Sequence, residues 1–120
     1  MDVPAVYHPT MNRVANHLLA VLGFLLLGAC TPMVGDECTY NRDCPSGAYC
    51  DRTLPGGYCT ETPCYPGDCP EHSECIEFPD QEKAFCMTRC SDDNDCREAY
   101  KCIPITSFGE AKRFCGILAD

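Results

Sequence analysis

Tryptophan is absent from this chain, and phenylalanine occurs only five times in 120 residues. Without such side chains a domain of this size cannot rely on hydrophobic packing alone, so its rigidity must have another source. Positive charge is scarce as well: nine lysines and arginines stand against 18 aspartates and glutamates, a net of −9. Phosphate binding needs clustered cations and no stretch of the chain supplies a cluster, which sets nucleic acid aside as a partner. Apolar runs are short. The longest uncharged one, 18–29, has 12 residues, whereas a helix needs about 20 to cross a bilayer. Nor does Cys-x-x-Cys occur anywhere, so the usual thiol–disulfide exchange motif is missing and the spacing disfavours zinc.

What the chain has instead is cysteine, 13 in all, with 10 prolines and 9 glycines. In an exported protein this composition reads as a disulfide framework. Export is signalled at the start, where Arg13 precedes the apolar run 18–29 in the manner of a signal peptide core. Residues 2–10 are unusual for such a start, and Met11 is the expected initiator.

The run ends Leu27-Gly28-Ala29-Cys30. In this the chain resembles a bacterial lipoprotein precursor carrying a lipobox, with Leu three before the cysteine and small residues between. The resemblance implies diacylglycerol on Cys30, cleavage of 1–29, and a lipid anchor in the membrane as the attachment to the cell. Because Thr31 is not acidic, it further implies the outer membrane of a Gram-negative bacterium. Ordinary cleavage after Ala29 would want a small residue where Leu27 stands; under that alternative the protein is secreted and Cys30 remains for other bonds. Parity agrees with a modified Cys30, since 13 − 1 leaves 12 cysteines, an even number. Residues 31–37 show no periodicity and read as a tether, so 30–37 form a lipidated N-terminus with its linker.

The other cysteines fall into three groups of four: Cys38, Cys44, Cys50, Cys59; Cys64, Cys69, Cys75, Cys86; and Cys90, Cys96, Cys102, Cys115. The groups begin 26 residues apart, as 64 − 38 and 90 − 64 show, which identifies a repeat of three units, 38–63, 64–89 and 90–120. An acid precedes each second cysteine (Asp43, Asp68, Asp95) and suits a tight turn that it closes through backbone amides. An aromatic precedes each fourth (Tyr58, Phe85, Phe114) and suits a strand whose ring covers a disulfide. Between third and fourth cysteine, turn formers at Pro55-Gly56-Gly57, Pro79-Asp80 and Phe108-Gly109-Glu110 predict one β-hairpin per unit, with the tips as the most exposed points. Helix is expected for no more than a turn or two. The fold class is thus small and disulfide-rich: three tandem four-cysteine units with short β-hairpins, arranged as an elongated array.

Four cysteines permit three pairings in each unit. Cys50-Asp-Arg-Thr-Leu-Pro-Gly-Gly-Tyr-Cys59 is similar to the hairpin of an EGF-like module, although the Cys-x-Cys that follows in that family is missing. The five-residue gaps, the acids before the second cysteine and Tyr49-Cys50 resemble the N-terminal cysteine-rich region of Dickkopf proteins. The EGF resemblance implies first-to-third and second-to-fourth bridges: Cys38–Cys50, Cys44–Cys59, Cys64–Cys75, Cys69–Cys86, Cys90–Cys102 and Cys96–Cys115. Each such loop would contribute about 3 kcal/mol in the chain-entropy model.

Chemistry-bearing clusters are few. Asp92, Asp93 and Asp95, with Asn94 among them, are the candidates for calcium, a hard cation that prefers oxygen, but an EF-hand pattern is missing and a solvated acidic turn is the preferred reading. Asp36-Glu37-Cys38 resembles the opening of calcium-binding EGF modules, with Val34 where a further acid belongs. His72 and Ser73 are adjacent and poorly placed to act as base and nucleophile, so no catalytic residues are assigned and an enzyme is not expected. No cofactor is expected. The function that fits is an anchored binding or spacer module with an unknown protein or envelope partner. The alternatives are a secreted cysteine-rich factor, with or without calcium, and a small protease inhibitor presenting Leu54-Pro55-Gly56 or Thr106-Ser107-Phe108.

Overall fold

The computed structural model describes residues 30–119. The expected signal peptide 1–29, with the expected initiator Met11 and the lipobox-like residues Leu27, Gly28 and Ala29, lies outside the described residues. Each four-cysteine unit builds one two-stranded antiparallel sheet. The first pairs β1 (Tyr49–Asp51) with β2 (Tyr58–Thr60), the second β3 (Ser73–Ile76) with β4 (Phe85–Thr88), and the third β5 (Lys101–Ser107) with β6 (Glu110–Gly116). Helix among the described residues amounts to two single 3₁₀ turns, Asn41–Asp43 and Asp93–Asp95. The third hairpin turns at Phe108-Gly109, both at positive φ, as a two-residue connection between paired Ser107 and Glu110 requires.

In every sheet the third and fourth cysteines stand directly opposite: Cys50 with Cys59, Cys75 with Cys86, Cys102 with Cys115. Directly opposed residues share a face of the pleat, yet the two do not bond to each other. The third reaches the first cysteine of its unit and the fourth reaches the second, giving Cys38–Cys50, Cys44–Cys59, Cys64–Cys75, Cys69–Cys86, Cys90–Cys102 and Cys96–Cys115. Two bridges therefore lie side by side on one face of each hairpin; nine of these twelve cysteines are buried, and Cys69, Cys96 and Cys102 are partly buried.

The acids before the second cysteines close turns, as their position suggests. One Asp43 oxygen accepts from the amides of Thr39 and Tyr40 at 2.9 and 2.8 Å, one Asp95 oxygen from Ser91 and Asp92 at 2.7 and 3.2 Å, and Asp68 from Tyr65 at 3.1 Å. A second device repeats that the sequence conceals. Three residues before each third cysteine the backbone enters positive φ, at Gly47 (89°), His72 (67°) and Ala99 (75°). Each ends a turn closed by the following amide: Ala48 to Pro45, Ser73 to Pro70, and Tyr100 to Arg97. Only Gly47 advertises that conformation, since glycine adopts it without steric cost.

The elongated array is corrected. Unit 1 meets unit 2 where the Thr60 hydroxyl donates to the Cys86 carbonyl at 2.7 Å and the Cys86 amide donates to Glu61. Unit 2 meets unit 3 through the Arg89–Phe114 bridge and through Ser107 Oγ, which donates to Cys75 and accepts from the Glu77 amide. Unit 3 returns to unit 1: Arg97 Nη2 donates to the Pro55 carbonyl at 3.1 Å, to the Gly57 carbonyl and to Tyr100 Oη, and Tyr100 Oη donates to Pro55. The ring is closed because each unit is too small to bury its own aromatics. Tyr58, Ile76, Met87, Tyr100 and Phe114 join disulfides from the second and third units in one shared core.

The aromatics also act between units. Tyr58 stacks on Tyr100 at 5.5 Å and Phe114 meets Phe78 edge-on at 5.3 Å, so these rings cement units to one another. The tips are exposed as expected at Pro55, Gly56, Pro79, Asp80, Phe108, Gly109 and Glu110; in the first tip only Gly57 is buried, where Arg97 holds its carbonyl.

Candidate functional site

The N-terminal segment is the site on which the attachment reading depends, and it is not the loose tether that its composition suggests. Asp36 brackets it: the carboxylate accepts from the Met33 amide at 2.8 Å, and the Asp36 amide donates to the Met33 carbonyl at 3.2 Å. The Gly35 amide then donates to Cys59, and the Cys59 amide to Asp36, at 2.8 and 3.0 Å, which lays the segment along β2. Val34 is 5% exposed and belongs to the shared core. Its carbonyl accepts from Thr88 Oγ1 at 2.8 Å. A β-carbon on Gly35 would collide with that same threonine oxygen, and φ there is +94°, so the close approach needs glycine.

Tyr58 completes the junction. Its hydroxyl accepts from the Thr88 amide at 2.8 Å and lies 3.3 Å from Thr88 Oγ1 and 3.4 Å from the Cys115 carbonyl. Burial pushes the Tyr58 phenol above its ordinary pKa, so the group remains a neutral hydrogen-bonding pin. The first, second and third units and the N-terminal segment all meet at this hydroxyl. Cys30 is exposed and is the one free cysteine of the chain.

Two concavities accompany the junction. One, of about 400 Å³, is lined by Leu54, Tyr58, Phe78, Phe85, Phe114 and Ile117 and is chiefly apolar. The other, about 880 Å³ and shallow, gathers Arg89, Lys112 and Arg113 around Glu74. The cation cluster that the linear sequence lacks is thus assembled by folding, between Arg89, just past β4, and Lys112 and Arg113 of β6. Glu74 takes Lys112 at 3.2 Å and Arg89 at 3.9 Å, and Glu110 takes Lys112 at 3.0 Å. Hydrogen bonds to Glu110 and Glu74 raise the Lys112 pKa. The carboxylates offset Arg89 and Lys112, while Arg113 is in no ion pair among the described residues.

Asp92, Asp93 and Asp95 are not brought together as ligands. Asp92 caps the 3₁₀ turn by accepting from Asn94, Asp95 holds the amides already described, and Asp93 accepts from the Cys102 amide at 2.9 Å while its other oxygen lies 3.8 Å from Lys101. Asn41 performs the same task for Cys50 in the first unit at 3.0 Å, which marks Asp93 as part of the repeat's framework. Among the described residues, the groups of three ligand-type atoms within 4.8 Å of one another are cysteine sulfurs, one group per unit. Each of those sulfurs is in a disulfide and offers no thiolate.

The remaining sequence candidates are placed as follows. Ser73 Oγ donates to the Pro70 carbonyl at 2.5 Å, while His72 occupies the positive-φ turn position and its carbonyl accepts from Arg89. Glu77 accepts from the Phe108 amide at 3.3 Å. Thr106 and Ser107 are paired residues of β5, with Ser107 1% exposed, and the Pro55 carbonyl is occupied by Arg97 and Tyr100. Neither proposed inhibitor loop is therefore a free extended segment. Sequence reasoning missed Thr88 and Arg97, which carry no local pattern, and missed the packing of Val34 because a lone Met-Val pair between Pro and Gly resembles a linker.

Among the described residues no helix is long and apolar enough to cross a membrane. Compared with known protein families, curated proteins and solved structures, the chain matches none.

Proposed function

We propose that this protein is an exported lipoprotein, acylated on Cys30 and held in the outer membrane of a Gram-negative bacterium, where its three fused disulfide units act as a rigid binding module without turnover. One observation carries the reading. Twelve cysteines close into six bridges inside their own units, and the thirteenth, Cys30, is free, exposed and preceded by Leu27-Gly28-Ala29. A disulfide framework requires an oxidising compartment, which agrees with export, and acyl chains on one sulfur and its amine would satisfy the two-chain requirement for stable anchoring. The rigid module fits a receptor or envelope-contact role, with an acidic surface that favours basic partners and disfavours anionic ones. The resemblance to EGF-like and Dickkopf modules extends to the style of cross-linking and carries no signalling role.

The test is mass spectrometry of the mature N-terminal peptide from membranes of a Gram-negative host expressing the full chain. The expected species begins at Cys30 and carries diacylglycerol and a third acyl chain. A mature chain with an unmodified Cys30 would replace this reading with the secreted alternative.

A further inference from the structure

The packing of 33–36 sets a limit on any anchor at Cys30. Three residue steps separate Cys30 from Met33, so the attachment point stands at most about 11 Å from a residue fixed in the fold. On the reading proposed above, the folded body is held against the bilayer surface with no room for a water-filled gap of its own thickness. The part of the surface that faces the lipid is then decided by what surrounds the exit of the chain.

Exposed apolar residues stand on both segments that leave it. Val34 and Cys115 are both joined to the Tyr58–Thr88 pair, which places their carbonyls within about 10 Å of each other. The two chain ends that leave this junction carry Met33 (48% exposed) on one side, and Ile117 (38%) and Leu118 (61%) on the other. Among the described residues six large hydrophobic side chains are exposed, and three of them are these. With a net charge of −9 the protein gains nothing from an anionic headgroup layer, so contact with the membrane has to be apolar.

We propose that Met33, Ile117 and Leu118 form a membrane-contacting edge that enters the headgroup boundary of the leaflet holding the acyl chains of Cys30. The edge fixes the orientation of the module. The Phe108 tip, seven residues along β6 from Cys115 and so about 20 Å away, projects outward toward the partner.

The absence of tryptophan makes the test direct. Met33→Trp, Leu118→Trp and Phe108→Trp are each introduced into the full chain, purified as the acylated protein and reconstituted in phosphatidylethanolamine–phosphatidylglycerol vesicles. Emission from positions 33 and 118 is expected to shift to the blue and to be quenched by brominated acyl chains, with position 108 unshifted and unquenched. Acylated protein in which all three positions behave alike overturns the proposed edge while leaving the anchor intact. A blue shift at 118 that appears in detergent and scales with protein concentration means that a second copy covers the edge, and overturns it as well. An unmodified Cys30 in the mass spectrum refutes the anchor and the edge together.

Discussion

Arg97 is the closure on which the arrangement of the three units turns, and its removal has a calculable cost. One nitrogen, Nη2, serves three acceptors at once: the Pro55 and Gly57 carbonyls of the first unit and Tyr100 Oη of its own. The guanidinium lies 4.5 Å from the Tyr100 ring centre and 5.7 Å from that of Tyr58. Two protons on the nitrogen limit it to two good bonds, each worth about 1.5–3 kcal/mol for a charged donor, and the ring contacts add about 0.5–2 kcal/mol. Against this, Arg97 Nε is buried without a partner, a penalty of about 1–3 kcal/mol that truncation relieves. Arg97→Ala should therefore destabilise the closure by about 2–4 kcal/mol. Because the disulfides hold each unit together, the loss should surface as local opening and not as global unfolding. Hydrogen exchange read by mass spectrometry, with bridges intact, should show faster exchange in 54–60 and 97–102 and little change in 73–88. Arg97→Lys should recover only a small part, since an ammonium lacks the planar fork. Exchange at 54–60 unchanged in Arg97→Ala would refute the reasoning and return the units to independence.

Two further outcomes follow from the turns. Ala99 holds a left-handed conformation that costs about 1–2 kcal/mol for a residue with a β-carbon, so Ala99→Gly should stabilise by up to about 1 kcal/mol after glycine's own entropy cost, and His72→Gly should act in the same direction. Gly47→Ala, which meets only the end of the Glu61 side chain, should destabilise comparably; denaturant titration with intact disulfides measures all three. Asp43 and Asp95 have carboxyl pKa values below the ordinary value, the first through hydrogen bonds from the Tyr40 and Thr39 amides and the second through those from Ser91 and Asp92. A folded pKa depressed below the unfolded one gives stability that is full above the unfolded value, about pH 4, and is lost as pH falls through the folded value. Thermal unfolding temperature should thus fall below about pH 4, and the Asp43→Asn, Asp95→Asn double variant should flatten that acid limb.

Local chemistry made much of this fold readable. The 26-residue period is written in the cysteine positions, and one hairpin per unit and the acid-closed turns rest on residues within about fifteen positions of each other. The turn at residues 70–73 and its counterpart at 97–100 were hidden because His72 and Ala99 occupy a conformation that only Gly47 signals. Residues 31–37 read as a linker for a related reason: Met33 and Val34 alone make no periodic pattern, and the threonine that holds the Val34 carbonyl, Thr88, lies 54 residues away. Of the calcium candidates, Asp95 was legible as a turn closure from its place before Cys96, whereas the acceptor role of Asp93 toward the Cys102 amide, nine residues on, carries no local signal.

Cysteine count and spacing alone determined that the protein is three lookalike cross-linked hairpin units, since turn geometry and strand pairing are settled between neighbours in the chain. Which sulfurs join was open among three pairings per unit until the tertiary structure placed the first and second cysteines beside the opposed third and fourth. The closure of the units on one another and the burial of the N-terminal segment belong to the tertiary structure as well. They depend on contacts such as Tyr58–Thr88 and Arg97–Gly57, 30 and 40 residues apart, and side chains that meet only after folding leave no periodic trace in the chain.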